Sequence, residues 1–470
     1  MLLPLTLQRD KPLQQQLYTQ LRALIESGDL PAGSRMPSTR DFAAHYSVSR
    51  MTAVVTYDRL SVEGFLHTVP AGGTFVGAAG RPTSAAVPAA AVAPAAAVLP
   101  APNPTLSNEI IQADPALFPA ARWRSLLRAS LDRRQQCERG VLQATLAKWL
   151  GGTRGMAVLP DQVIVVSARQ RALDIVAQLL LRPGQIVAFE APGDEVAAHI
   201  WAARGARLQG VGVDADGLLP QALPSGPAAL LHLTPGCQYP TGAILSEPRR
   251  AEVLDWAARS GAHIVEVDRV GDMRYDHDHS SALMAQDRTG CVLHIGDFTS
   301  VLGPLVSMAY LVVQPHLVAA AEMARRMLDG VAHGIEIGAL AEFLESNAYS
   351  RHVIGLRRVY AARRAALVAA MGHHLGVPDH FGAAAGFALP WRPPPQLGAI
   401  ARIAAAARLS GLPVMPFPDL PLPGENACKH LLMLGFSAIP EPEITARVAQ
   451  LAARLHVPAA DELGLEHAAN

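Results

Sequence analysis

The chain has 470 residues, half of them hydrophobic, enough to bury a large core and to form at least two domains. Its 40 Lys and Arg balance 40 Asp and Glu, so no global charge marks a nucleic-acid or membrane binder. The four cysteines (Cys137, Cys237, Cys291, Cys428) lie far apart without CxxC spacing, which argues against a zinc knuckle or disulfide scaffold and fits a reducing compartment.

The start, MLLPLTLQRDK, lacks a basic region followed by a long apolar core, and Pro88, Pro94 and Pro100 interrupt the apolar tract 85–102. The expectation is a cytoplasmic protein that does not enter a membrane. Arginine is abundant, but there are only three lysines, Lys11, Lys148 and Lys429.

Leu13, Leu17, Leu21, Leu24 and Ile25 recur at helical spacing over residues 13–27, and Gly28 closes that helix. Ser38 can cap a second helix to about His45, with Phe42 and Ala43 inward. After a tight turn, Ser49 can cap a third helix to about Glu63, with Val54, Val55 and Leu60 apolar. Helix, turn and capped helix form a helix-turn-helix pattern, and residues 64–76 alternate like a two-stranded wing. The N-terminal end of the third helix would enter a major groove first, which brings Ser49, Arg50 and Thr52 to phosphates and base edges. Arg35 and Arg40 flank the second helix, with its cap Ser38 between them, and would fix the register on the backbone. The region carries seven basic against six acidic residues, so no strongly basic stripe supports this reading.

The order LPAGSRMPSTR, VSRMT, YDRLSVEGFL and GTFV resembles the GntR-type winged helix across residues 12–76. The resemblance implies that Arg35, Ser38, Arg40, Ser49, Arg50 and Thr52 contact double-stranded operator DNA. Val69 and Ala71 depart from the basic residue and the glycine common in that wing, so the recognition helix looks better kept than the wing.

Residues 77–107 form an Ala/Pro-rich spacer, and Arg81 is its only charge up to Pro104. From there short apolar runs alternate with helical patterns. Strands are expected at 163–166, 186–189, 208–213, 229–233, 263–267, 292–295 and 310–313, with helices such as 170–181, 196–204 and 248–260 between them. This alternation predicts an α/β domain over residues 108–470, with a mainly parallel sheet covered on both faces and a smaller αβ segment at the end. Binding loops belong at the carboxyl ends of the strands, at 167–171, 190–194, 234–242, 268–276 and 296–307.

The segments DPALFPAARW, EAPGD, TPGCQYPTG, MRYD, HIGDF and AYLVV resemble, in order and spacing, the fold-type I aminotransferase domain. Together with the head, the chain resembles a MocR-type regulator, in which such a domain acts as an effector sensor and dimerises. That fold implies pyridoxal phosphate (PLP), which needs a Schiff-base lysine, a carboxylate at the ring nitrogen, a stacking aromatic ring and a phosphate clamp.

Here the corresponding positions depart. Ser300 stands for the lysine, Val267 for the ring-nitrogen carboxylate, Arg269 for a tyrosine and Asp194 for the stacking ring. Asp297 replaces a phosphate donor, and a carboxylate a few ångströms from a phosphate is repulsive by about 1 kcal/mol or more even with water-like screening. Ser307 replaces a phosphate-binding Arg, Cys237 a polar residue and Met433 the substrate-carboxylate Arg. Ala168-Arg169 replaces Gly-Ala, and a glycine-rich segment is shortened to CERG. The loop residues Tyr239, Pro240, Thr241 and Gly242 are retained.

The expected function is therefore a DNA-binding regulator without a cofactor, with a catalytically inactive aminotransferase-like domain, dimerising and open to a small-molecule effector. Arg169, Arg171 and Arg269 would receive an anionic effector if they face the old cleft. A regulator that binds PLP non-covalently and an active aminotransferase remain the competing readings. No metal site is expected.

Overall fold

The computed structural model describes residues 3–70, 72–77, 113–132, 139–275, 281–330, 334–376, 379–380, 382, 385–417 and 430–456. The wing residue Ala71, the spacer beyond Gly77, Cys137 and Glu138 of the CERG segment and Lys429 lie outside the described residues. Two compact units are present, one within Met1–Ala93 and one within Pro94–Asn470.

In the first unit, α1 (Leu13–Ser27), α2 (Thr39–Tyr46) and α3 (Arg50–Val62) precede the antiparallel pair β1 (Leu66–Val69) and β2 (Gly73–Val76). Leu17, Leu21 and Ile25 of α1 meet Phe42 of α2 and Ala53, Tyr57 and Leu60 of α3 in one buried cluster. Each of the Leu, Ile and Phe side chains contributes roughly 1.5–3 kcal/mol by leaving water. Both predicted caps form: the Ser38 hydroxyl accepts from the Asp41 amide and the Ser49 hydroxyl from the Thr52 amide. The inward face of α3 differs from the apolar positions noted in the sequence. Val55 is 38% exposed, because residues 53, 57 and 60 define the packed face and a residue two positions from Ala53 points about 160° away.

The second unit is built on eight strands: β3 (Val163–Val166), β4 (Ile186–Ala191), β5 (Arg207–Asp214), β6 (Gly217–Leu218), β7 (Leu230–Leu233), β8 (His263–Asp268), β9 (Val292–Asp297) and β10 (Ala309–Val312). Their order is β3-β10-β9-β8-β7-β4-β5-β6. Strands β5, β4, β7, β8 and β9 run parallel, while β10 is antiparallel to both neighbours and β6 to β5.

The strands are apolar on both faces because helices cover both. On one face Val166, Phe189, Val267 and Ile295 pack under α4 (Arg169–Leu180), α5 (Glu195–Ala203) and the helix Val318–Asp329. On the other, Val165, Leu231, Ile264 and Val292 meet the helices Glu247–Ser260, Gly334–Glu345 and Ala348–Leu375. The helix Gly334–Glu345 and the short β6 were not expected from the sequence. The binding loop expected to run to Arg171 ends at Ala168, since α4 opens at Arg169.

A smaller antiparallel sheet follows, β11 (Asp379–His380), β12 (Ala388–Arg392), β13 (Val414–Pro416) and β14 (Leu432–Gly435), in the order β11-β12-β14-β13. It packs with the helices Ile400–Leu409 and Glu441–His456. Among the described residues no helix is long and apolar enough to cross a membrane.

Candidate functional site

In the first unit the six residues singled out at the helix-turn-helix divide by what their side chains already do. The Ser38 hydroxyl donates to the Asp41 carboxylate at 2.7 Å, and the Ser49 and Thr52 hydroxyls lie 2.7 Å apart within the cap of α3. Arg35, Arg40 and Arg50 are exposed, and none is ion-paired among the described residues. Arg35 pairs its backbone with Phe75, which carries its side chain to the hairpin beside Gly73. The caps thus fix the N-terminal ends of α2 and α3, and the side chains of Arg35, Arg40 and Arg50 stay exposed.

In the second unit the strand ends bring together four residues that are distant in the chain. Asp194 caps α5, accepting from the amides of Val196 at 3.0 Å and Ala197 at 3.3 Å. Its other oxygen receives a short hydrogen bond from Arg169 and a longer one, 3.4 Å, from Arg269. Arg169 also lies 3.8 Å from Asp297. Two guanidiniums and two carboxylates therefore balance, and Arg169 and Asp194 are buried.

Burial alone would raise the Asp194 pKa, but Arg169 and Arg269 outweigh it and hold the carboxyl well below the usual range. Burial would likewise lower that of Arg169, and Asp194 with Asp297 outweigh it in the opposite direction. Arg171, two residues on and so on the opposite face of α4, is exposed.

Asp297 also organises the next loop. Its Oδ1 accepts from the amides of Thr299 (3.0 Å) and Ser300 (3.3 Å) and from the Thr299 hydroxyl (2.6 Å). This starts the short helix α6 (Thr299–Leu302), in which Ser300 is buried. Gly296 is required just before it, because a Cβ there would sit 2.2 Å from the Tyr310 hydroxyl. Ser307 is exposed and donates to the Ser167 carbonyl at 2.8 Å.

Val267 points into the apolar face under α4, while Asp268, on the opposite face, is held 2.7 Å from Arg154. Arg154 reaches Asp272 at 2.8 Å as well, and Tyr349 donates to Asp272 at 2.6 Å, so this strand end is pinned from a helix and a loop.

The EAPGD and TPGCQYPTG loops are tied to each other. Glu190 accepts from the Thr234 amide (3.0 Å) and hydroxyl (2.8 Å), and the Thr234 hydroxyl accepts from the Tyr239 amide (3.0 Å). Gln238 donates to the Pro192 carbonyl at 2.8 Å and accepts from the Thr241 amide and hydroxyl. Gly193 is the residue that permits this crossing: a Cβ there would meet the Glu190 carbonyl at 2.2 Å and the Phe189 ring at 2.5 Å. Burial pushes the Glu190 carboxyl up to about 8, against the opposing hydrogen bonds from Thr234.

Between the large and small sheets lies a cleft of about 480 Å³, open mouth included, lined in part by Cys237, Tyr239, Arg269, Phe387 and Met433. Arg269 lies 4.3 Å from the centre of the Tyr239 ring, a cation–π contact. Met433 is buried with Ala388, Phe417 and Leu431 on the small-sheet side.

Two residues of this neighbourhood were not singled out from the sequence. Glu190 had been noted only as part of a loop. His232 is buried, stacks 4.8 Å from Phe189, has no hydrogen-bond partner on either ring nitrogen among the described residues, and its pKa is pushed down to about 4 by burial. A lone histidine inside the apolar run LLHL was the available signal.

Residues 13–76 match the family model of bacterial regulatory proteins, gntR family. Over 398 residues the chain is 32% identical to the "Probable rhizopine catabolism regulatory protein MocR" of Rhizobium meliloti, covering 78% of each. It is 30% identical over 378 residues to the "HTH-type pyridoxine biosynthesis transcriptional regulator PdxR" of Corynebacterium glutamicum, covering 79% of this chain and 82% of that protein. Among solved structures, an archaeal alanine:glyoxylate aminotransferase superposes with a TM-score of 0.66 at 22% identity, over 73% of this chain and 90% of that one, a likeness of fold.

Proposed function

The chain belongs to the MocR-type GntR transcriptional regulators, with a helix-turn-helix head and an aminotransferase-like domain, and from that premise we propose that it regulates transcription without PLP and without transaminase activity. The observation that carries this reading is the set Arg169, Asp194, Arg269 and Asp297, the first two buried and the other two partly so, whose charges are satisfied by one another.

The donor set does not fit PLP. Ser300 has no amine for an imine, and of the three lysines Lys11 and Lys148 are exposed while Lys429 falls in no matching loop. Val267 presents an apolar side chain where the ring nitrogen needs a carboxylate, and Asp194 holds two arginines where a ring would stack. A phosphate entering beside Arg169 would have to compete with two carboxylates already paired there. Ser307 and Met433 supply no cation at the phosphate and substrate positions.

In this reading residues 1–76 are the DNA-binding head, 77–107 the spacer, and 108–470 the domain that dimerises and sets the distance between two operator half-sites. Arg35, Arg40 and Arg50 bind phosphates or base edges, while Ser38, Ser49 and Thr52 fix the helices that carry them. A non-covalent effector, if the domain takes one, belongs in the cleft beside Arg269 and Tyr239.

Mixing the purified protein with PLP tests this directly. The expected spectrum shows no imine absorbance that borohydride traps, and the Ser300→Lys variant stays equally inert because the ion pairs still fill the space. A reducible adduct on a specific lysine of the natural chain would overturn the reading. The retained loop Tyr239–Gly242 favours the rival, non-covalent PLP binding; equilibrium dialysis showing saturable uptake of PLP would establish it instead.

A further inference from the structure

The recognition helix presents three large apolar side chains to solvent, Val62 at its C-terminal end and two in the half that leads into the groove. Met51 is 70% exposed and Val55 38% exposed, in the N-terminal half of α3. Four residues apart, they lie on one face, about 6 Å apart along the axis. Two of the three polar side chains expected at phosphates and base edges are engaged elsewhere: Ser49 and Thr52 hold each other in the cap. Arg50 is exposed beside them, and Arg35 and Arg40 are exposed in the same unit.

Scattered exposed apolar residues are ordinary on a protein surface. A pair on the element that enters the groove is a different matter, because an apolar side chain there needs an apolar partner to leave water. In a major groove that partner is the C5 methyl group of thymine. The surrounding arginines are complementary to the phosphates on either side.

We infer that Met51 and Val55 are specificity-determining residues that read thymine methyl groups within about two base-pair steps of each other in the operator, the spacing set by their separation along the helix. The inference rests on the reading of α3 as the helix that contacts bases.

The test uses the full-length protein. A binding site is enriched from a pool of random duplex DNA, and each thymine of that site is then replaced by deoxyuridine, which removes only the methyl group. At one or two positions the replacement should weaken binding by the natural chain about fourfold, the factor for one buried methyl-sized group. Met51→Ala or Val55→Ala should weaken binding to the thymine site and lose the response at its own position, while keeping it at the other.

Uracil-insensitive binding at every thymine, or equal sensitivity in the natural chain and both variants, would overturn the inference and leave α3 as the DNA-binding helix. If no sequence is enriched, the DNA-binding reading fails first and the inference with it. A change of oligomeric state in Met51→Ala, with DNA binding and uracil sensitivity intact, would assign the face to a second copy of the chain and also overturn it.

Discussion

The head and the aminotransferase-like domain treat their charged residues in opposite ways. In the head, Arg35, Arg40 and Arg50 are exposed and independent of one another, so a change at one leaves the others as they were. In the domain, Arg169, Asp194, Arg269 and Asp297 are interlocked, with Asp194 shared between two arginines and an α-helix cap. A surface that binds a solvated polyanion can be altered one residue at a time. A buried site cannot, because each charge left without its partner is an uncompensated charge in a poor solvent.

The largest test of that contrast is Arg169→Ala. It strips Asp194 and Asp297 of their shared cation and should lower unfolding stability by about 3–5 kcal/mol, read from denaturant melts. Replacing Arg169 and Asp194 together by apolar residues of similar size should recover much of the loss. If Arg169→Ala is as harmless as an exposed substitution, the interlocking is not energetic.

A second effect comes from Glu190, whose carboxyl is pushed up to about 8 from its ordinary 4.5, first of all by burial. The folded chain therefore binds this proton more tightly than the unfolded one. The resulting stability is fully present below about pH 4.5 and is lost as pH rises through about 8, at up to about 1.4 kcal/mol per pH unit. Glu190→Gln, which stays neutral, should flatten that part of the stability–pH curve; an unchanged slope would mean that another group is responsible.

In the head the effects should be smaller and confined to binding. Arg50→Ala should weaken DNA binding by about 1–3 kcal/mol in gel-shift titrations while leaving the melting temperature nearly unchanged. Undiminished binding would remove Arg50 from the interface. Smallest is Ser49→Ala, which deletes the α3 cap and should lower the stability of the head by about 1 kcal/mol, measurable by thermal melts. A loss of DNA affinity without any loss of stability would make Ser49 a direct contact rather than a positioning residue.

Much of the architecture follows from local order in the chain. The caps Ser38 and Ser49, the wing, seven of the eight strands and the placement of loops at strand ends all rest on residues within a turn or two of each other. The short β6 and the helix Gly334–Glu345 escaped because a two-residue strand has no period, and an all-round apolar stretch does not show which face it buries. The positions Asp194, Val267, Arg269, Asp297 and Ser300 were singled out one by one by comparison with the fold the chain resembles. That four charged residues would meet was not, since Arg169 and Asp194 are 25 positions apart and Asp194 and Arg269 are 75.

By itself the sequence determined most of the elements, and that residues 292–313 hold no lysine. Tertiary structure alone decided which side chains meet at the strand ends. The strand order sets the ends of β4, β8 and β9 and the start of α4 around one point, and in the interior a charge persists only beside its opposite. The same distinction separates Met51 and Val55 from the core of the head, because helical spacing defines faces and only the packing of α1 and α2 decides which face is left to solvent.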